Sequence, residues 1–346
     1  MSKGWACICR TGGIGDNLIA ASPLKPLKRM GYMNEVITSE YAHAVYLNNP
    51  YIDKLTVKQD GDIPGGDVGT QWFATRAKEY DKFIHLAHSC EFRHGLFMGQ
   101  TAFWWPQDYR RKLCAGSYLE TAHDIVGVPY DFGPLFFPTE EEHARAEWTK
   151  NTQIGDDYIV WVVSGSRLDK VYPYAAMAIG RIIKELKKPV VMVGYGDKQA
   201  EQAKQMQEHI IRQNGSDKML HSINSYPGAD PGGDKDWSVR RSLTQVQHAS
   251  LVITPDTGVA WAVALEKVPK VVMVSHASVE NITKHWVNTI TLHADQNRVP
   301  CWPCHRLHDK VDTCTPNKDG GHAAACMSDI TVDDILIAAW KSLGKP

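Results

Sequence analysis

Three short turns bring together the residue types from which anion binding and proton transfer are built. The first, Gly12-Gly13-Ile14-Gly15-Asp16-Asn17, follows directly on an apolar run at residues 5–9. Gly13 and Gly15 let a ligand approach the backbone, and a helix starting here presents unbonded amides. Asp16 either caps that helix or faces a ligand. A dinucleotide reading is also open, with Glu40 as the ribose acid, although Leu18 stands where that fingerprint requires Gly or Ala. The second turn, Ser164-Gly165-Ser166-Arg167-Leu168-Asp169-Lys170-Val171-Tyr172-Pro173, separates a strand-like run from a helix-like segment. The small Ser164, Gly165 and Ser166 open it, and Lys170 adds a positive charge beside a helix N-terminus, a good place for a diphosphate. The plain alternative is a solvated loop lysine. The third turn, Thr254-Pro255-Asp256-Thr257-Gly258, again joins a strand to a helix. Here Asp256 would cap the helix while the amides of Thr257 and Gly258 face an anion. Like charges repel, so the Asp256 carboxylate is expected on backbone amides or a ribose hydroxyl rather than on phosphate.

A fourth constellation has different chemistry. Of eight cysteines, Cys7, Cys9, Cys90 and Cys114 are scattered, whereas Cys301, Cys304, Cys314 and Cys326 crowd into one segment. Reduced thiols clustered around a C-x2-C knuckle are metal ligands before they are disulfides. Four thiolates suit zinc or a single iron, and a complete protein ligand set makes the ion structural rather than catalytic. His305, His308 and His322 are possible substitutes for one ligand. The segment lacks strand or helix periodicity, so a metal would help it fold. In the first half, Trp104-Trp105-Pro106 and Arg110-Arg111-Lys112 could stack on sugars or bases and meet phosphates; the plain alternative is a packed tryptophan pair and a solvated charge run.

Positioning these groups requires a scaffold, and the hydrophobic pattern supplies one. Apolar strand-like runs alternate with helix-like segments, as in a parallel sheet covered by helices. Strands are expected at residues 5–9, 35–39, 82–86, 158–164, 189–193, 251–254, 270–275 and 289–293. Helices are expected at 16–30, bent or shortened by Pro23 and Pro26, and at 41–47, 116–126, 173–188 with Pro173 in its first turn, and 198–213. Residues 331–343 form a closing amphipathic helix. The stretch 129–157, with Gly133, Pro134, Pro138 and the acidic run Glu140-Glu141-Glu142, contains the link between two halves, and 228–236 is a glycine-rich loop. The organisation is therefore an N-terminal domain at 1–150, a C-terminal domain at 151–330 containing the cysteine segment 299–327, and a closing helix at 331–346, with a donor expected on one side of the cleft between the halves and an acceptor on the other. Two doubly wound α/β halves in tandem leave a cleft between the carboxyl ends of their strands, where open sheets bind ligands.

Composition fits that plan. With 346 residues, 43% of them apolar, the chain can bury two cores. A net charge of −1 excludes the global basic footprint of most nucleic-acid binders, although 38 Lys and Arg can cluster locally. No apolar run approaches the ~20 residues of a bilayer span. No signal-peptide pattern is present either, so a cytoplasmic enzyme is expected.

Taken in order, the motifs resemble glycosyltransferase family 9, the heptosyltransferases, over nearly the whole chain. Gly15-Asp16 and Pro23 match the family's Gly-Asp motif and proline-containing helix, and Asn49-Pro50 its Asn-Pro. Gly165-Ser166, Lys170-Val171-Tyr172-Pro173, Val193-Gly194-Tyr195-Gly196-Asp197 and Asp256-Thr257-Gly258 match the motifs of its second half. Tyr172 replaces the family's usual Trp, and Trp261 its His, both near the expected donor site. The resemblance implies a GT-B fold and an inverting transfer from a nucleoside diphosphate sugar, with an ADP-heptose-like donor favoured, to a hydroxyl on a saccharide, protein or nucleic acid. It implies Asp16 as the base and Lys170 as the group that stabilises the leaving diphosphate. Gly13, Gly15, Ser164, Ser166, Gly194, Asp256, Thr257 and Gly258 would bind the donor, with no organic cofactor. A carboxylate at a helix N-terminus is stabilised when charged, so Asp16 would orient the hydroxyl and accept its proton late. Autotransporter heptosyltransferases, a branch of the same family, carry a comparable four-cysteine iron finger. The competing readings are a nicotinamide-dependent oxidoreductase using the first turn and a non-catalytic binding protein of the same fold.

Overall fold

The chain folds as two parallel sheets, each built from strands whose side chains are apolar on both faces at the centre and mixed at the edges. The computed structural model describes residues 3–59, 61–64, 66–86, 101–215, 218–226, 237–306, 314 and 323–344. Cys90, His308, His322 and the loop 228–236 lie outside the described residues.

The first sheet contains β1 (Trp5–Cys9), β2 (Met33–Ser39), β3 (Lys54–Lys58) and β4 (Lys82–His85) in the order β3-β2-β1-β4. The second contains β5 (Ile159–Val162), β6 (Val190–Tyr195), β7 (Leu220–Ser225), β8 (Leu251–Pro255), β9 (Lys270–Met273) and β10 (Thr289–Leu292) in the order β10-β9-β8-β5-β6-β7. Every pairing is parallel. Parallel sheets need helices on both faces. The central runs Ala6–Cys9, Ile159–Val162 and Leu251–Ile253 are accordingly buried throughout. In each sheet the strand order reverses beside the first strand of that half, at β1/β4 and at β5/β8. The three turns singled out from the sequence leave β1, β5 and β8, so all of them open at these switch points.

The structure departs from the sequence expectations in identifiable ways. The helix expected at 16–30 is two, Ile14–Ala21 and Leu24–Arg29, because Pro23 cannot donate within a continuous helix. Pro173 stands outside the helix Ala175–Leu186, whose N-cap is Tyr174. The acidic run lies in the first turn of a helix, Glu140–Thr149, where negative charge favours the helix dipole. There Thr139 and Glu142 form a capping box. The closing helix Val332–Ser342 packs on the second sheet and on helix Ala175–Leu186. Helix Ile14–Ala21 packs across the cleft on helix Gly258–Val263, joining the halves.

Candidate active site in the cleft

The two glycine turns meet. A Cβ on Gly258 would stand 2.8 Å from Ile14 Cγ2 and 3.1 Å from the Gly15 nitrogen, and one on Gly15 would stand 3.1 Å from Trp261 Cδ1. Glycine is needed at both positions because the helix starts of the two halves abut there. That close approach is itself a sufficient reason for glycine at position 15. Glu40 accepts from Gln59 Nε2, is exposed, and does not line the cleft cavity described below.

Asp16 is the third residue of its helix, whose N-cap is Gly13, so it is not a cap. Its carboxylate forms an ion pair with Arg10 (3.0 Å), whose side chain is 5% exposed. Arg10 is held in turn by the Leu86 carbonyl at the end of β4, 2.7 Å away. The loop beneath is fixed by Asn17, whose amide donates to the Gly12 and Gly13 carbonyls and accepts from Thr38 and Tyr46 hydroxyls.

From the second half, Lys170 reaches over Gly165, where a Cβ would come within 2.6 Å of the lysine Cδ. Lys170 Nζ lies 3.0 Å from Asp256 Oδ2. Asp256 Oδ1 accepts from Trp261 Nε1 at 2.9 Å. The expected cap is thus corrected: Thr257 caps helix Gly258–Val263 by accepting from the Ala260 amide, and Asp256 is the counter-ion of Lys170. Burial opposes charge on Lys170, but Asp256, Asp169 and Asp16 outweigh it and hold its pKa above the ordinary lysine value. Ser164 donates to Gln202, and Ser166 is exposed.

These groups line one cavity of about 410 Å³, shared by Gly13, Gly15, Asp16, Ser164, Ser166, Lys170, Gly194, Asp256, Thr257, Gly258 and Trp261. All ten residues expected to act or bind from the sequence are brought together. Tyr172 is not among the site's polar groups: it is 3% exposed in the core and donates to the Ile330 carbonyl. Two wall residues gave no sequence signal. Tyr41 of the first half meets Tyr195 edge-on at 5.6 Å. His276, beyond β9, is the other; its Nδ1 lies 2.9 Å from Asp169 Oδ2, which also accepts from Ser275. Burial raises Asp169, yet His276 and then Lys170 bring its pKa down to about 2.

The four cysteines of the C-terminal segment line a second cavity, of about 60 Å³, with Asp169, Ser275 and His276 on its wall. Burial first, and then the neighbouring Cys301 and Cys314, push the Cys304 thiol up to about 12. The donor set fits a thiophilic ion, and the site is small and mostly enclosed by protein. As the side chains stand, no group of three or more His, Cys, Asp or Glu among the described residues is arranged to hold a metal. Holding an ion here would require the sulfurs to converge. His305 is 2% exposed, and its amide donates to the His276 carbonyl.

In the basic trio Arg110 is buried and Arg111 half-buried, both spent on main-chain carbonyls, whereas Lys112 is exposed as the solvated reading expects. Arg110 donates to the Trp105 and Cys304 carbonyls, and Arg111 to those of Pro300, Trp302 and Pro303. They clasp the cysteine segment onto the first half. Trp104 is 63% exposed, beneath the Arg306 guanidinium.

No protein-family model matches the chain, and no curated protein matches it. Solved structures do. A glycosyl transferase family 9 protein from Veillonella parvula superposes with a TM-score of 0.66 at 16% identity, over 99% of this chain and 98% of that one. ADP-heptose lps heptosyltransferase II from E. coli gives 0.61 at 13% identity, over 98% of each chain. The iron-containing dodecameric glycosyltransferase TibC from enterotoxigenic E. coli gives 0.59 at 13% identity, over 99% of this chain and 77% of that one. The architecture is therefore GT-B, two doubly wound halves facing across a cleft. Among the described residues no helix is long and apolar enough to cross a membrane.

Proposed function

We propose that the chain is an inverting glycosyltransferase, heptosyltransferase-like, that moves a sugar from a nucleoside diphosphate sugar to an acceptor hydroxyl. One observation carries this reading: Asp16 from one half and Lys170 from the other line the same cleft cavity, at the switch points of facing parallel sheets. The acceptor oxygen attacks the anomeric carbon and the bond to the diphosphate breaks. Asp16 accepts the hydroxyl proton, and Lys170 neutralises charge gathering on the leaving oxygens. An ADP-heptose-like donor is favoured by the likeness of fold to proteins described as ADP-heptose enzymes. The acceptor is a saccharide, protein or nucleic acid, in a cytoplasmic setting that keeps thiols reduced. Cys301, Cys304, Cys314 and Cys326 would hold one structural zinc or iron, which organises the segment and supplies no open position for chemistry.

A thermal-shift panel of ADP-, UDP-, GDP- and CDP-sugars with NAD(P)H tests the reading. Stabilisation by one nucleotide-sugar class is expected, with Asp16→Asn abolishing transfer while retaining that shift. Stabilisation by NAD(P)H alone would replace the transferase with a dehydrogenase.

A further inference from the structure

The cavity has two chemically different ends, and strand order identifies them. From β7 across β6, β5 and β8 to β9 is four strand spacings, about 19 Å at ~4.8 Å each. That is the length scale of an extended nucleoside diphosphate sugar. Lys170 stands in the middle, after β5. At the β6/β7 end the wall is Tyr195, Tyr41, Val193 and Leu243, aromatic and apolar surface suited to a nucleobase. At the β8/β9 end are Trp261 and His276, on the side where the first half's Gly15 turn, which carries Asp16, packs against Trp261. The reacting sugar therefore belongs beside His276.

The imidazole is built into that wall. It is 3% exposed, and both Asp169 Oδ2 and Ser275 Oγ bear on Nδ1, at 2.9 and 3.3 Å. The Asp169 carboxylate can only accept, so it fixes a proton on Nδ1; in the neutral imidazole the lone pair is then on Nε2. Among the described residues Nε2 has no hydrogen-bond partner, while Nδ1 and the main chain do.

We propose that His276, oriented by Asp169 and Ser275, accepts a hydrogen bond through Nε2 from a hydroxyl of the transferred sugar and thereby selects donors carrying a hydroxyl there. The inference rests on the transferase reading of the cleft. A site that pairs a substrate hydroxyl discriminates strongly against an analogue lacking it, because its own polar group is left unpaired. The relevant quantity is how much more tightly a nucleotide sugar binds than its parent diphosphate.

Calorimetry on the intact protein, with ADP, UDP, GDP and CDP against ADP-heptose and ADP-, UDP-, GDP- and CDP-glucose, gives that ratio. In His276→Ala the affinity for the matching diphosphate stays within about twofold. The sugar's advantage falls by about tenfold or more, as expected for one buried hydrogen bond. His276→Gln, which retains an acceptor, restores part of it and guards against a folding defect in the alanine variant. An unchanged ratio in both variants, or equal weakening of diphosphate and sugar, would overturn the assignment. So would loss of bound zinc or iron with the ratio intact, which would make the imidazole part of the cysteine site. Failure of the unsubstituted protein to bind any diphosphate or sugar is a separate result, which removes the transferase reading and this proposal with it.

Discussion

Lys170 and Asp256 neutralise each other on the wall of the cleft, so a diphosphate bound there would compete with a carboxylate for one ammonium. Side-chain exposures of 16% and 9% make this a nearly buried pair. Removing one partner of such a pair costs about 3–5 kcal/mol, because the other charge stays desolvated. Asp256→Ala should lose stability on that scale in chemical denaturation. It should also be rescued by a nucleoside diphosphate, with a thermal shift larger than that of the unsubstituted protein; a smaller shift would mean that Asp256 itself binds the ligand. Lys170→Met should lower the transfer rate by about 10²–10³-fold, the usual loss for one group stabilising developing charge. Steady-state assay with the donor found by the thermal-shift panel measures it. The positions of Asp16, Lys170 and Asp256 on the cleft could be read from the sequence because each follows an apolar run by a few residues, but the pairing of Asp256 with Lys170 could not. His276 was not, since what gives it meaning is a carboxylate 107 positions away.

At the scale of elements, the halves are joined by helix ends and by single arginines that carry their partners with them. Arg240, on helix Val239–Gln247, donates to the Ala44, Leu47 and Phe137 carbonyls and pairs with Glu142 on helix Glu140–Thr149. Its side chain is 6% exposed. Arg240→Ala should destabilise the protein by about 3–5 kcal/mol in urea unfolding, well beyond a surface substitution. A pH dependence follows from the same contact. Burial raises the Glu142 pKa, but Arg240 and the Thr139 cap outweigh it and hold it below its ordinary 4.5. A depressed carboxylate pKa stabilises the fold above the unfolded value. The contribution is therefore fully present above pH ~4.5 and lost as pH falls below it. Arg240→Ala should flatten that acid limb of the stability profile. Whether a strand could be read in advance followed its run of apolar residues: the edge strands β4 and β10 were read along with the central ones. The central β1, β5 and β8 are continuous apolar runs and were legible. The strands β3 (KLTVK) and β7 (LHSINS) mix polar and apolar residues and are only partly buried, so short length and mixed composition hid them. Arg240 and the helix bearing it were likewise illegible, since their role is an interface between segments far apart in the chain.

For the molecule as a whole, the cysteine segment is a bridge rather than an appendage. Its carbonyls at Pro300, Trp302, Pro303 and Cys304 are taken by Arg110 and Arg111 of the first half. Its sulfurs line a cavity whose wall includes Asp169, the neighbour of Lys170, and His276 of the cleft. An ion drawing the four sulfurs together would fix those carbonyls in place and, through the two arginines, fix one half against the other. Folding and metal binding are then linked, and stability depends on metal concentration: a ligand at 100 times its Kd adds about 2.7 kcal/mol. For a chain of this size that is a shift of roughly 4 °C in Tm. Treatment with a chelator should lower Tm by about that amount, and zinc or ferrous iron, whichever is the native ion, should restore it at one equivalent per chain. Cys301→Ser with Cys304→Ser should remove both the metal and the restoration. Arg111→Ala separates the two halves of the argument: it leaves the sulfurs intact, so it should keep the metal yet lose most of the chelator-sensitive stabilisation. If Arg111→Ala instead responds to chelation as the unsubstituted protein does, the metal stabilises the segment alone and the arginine clasp transmits nothing to the cleft.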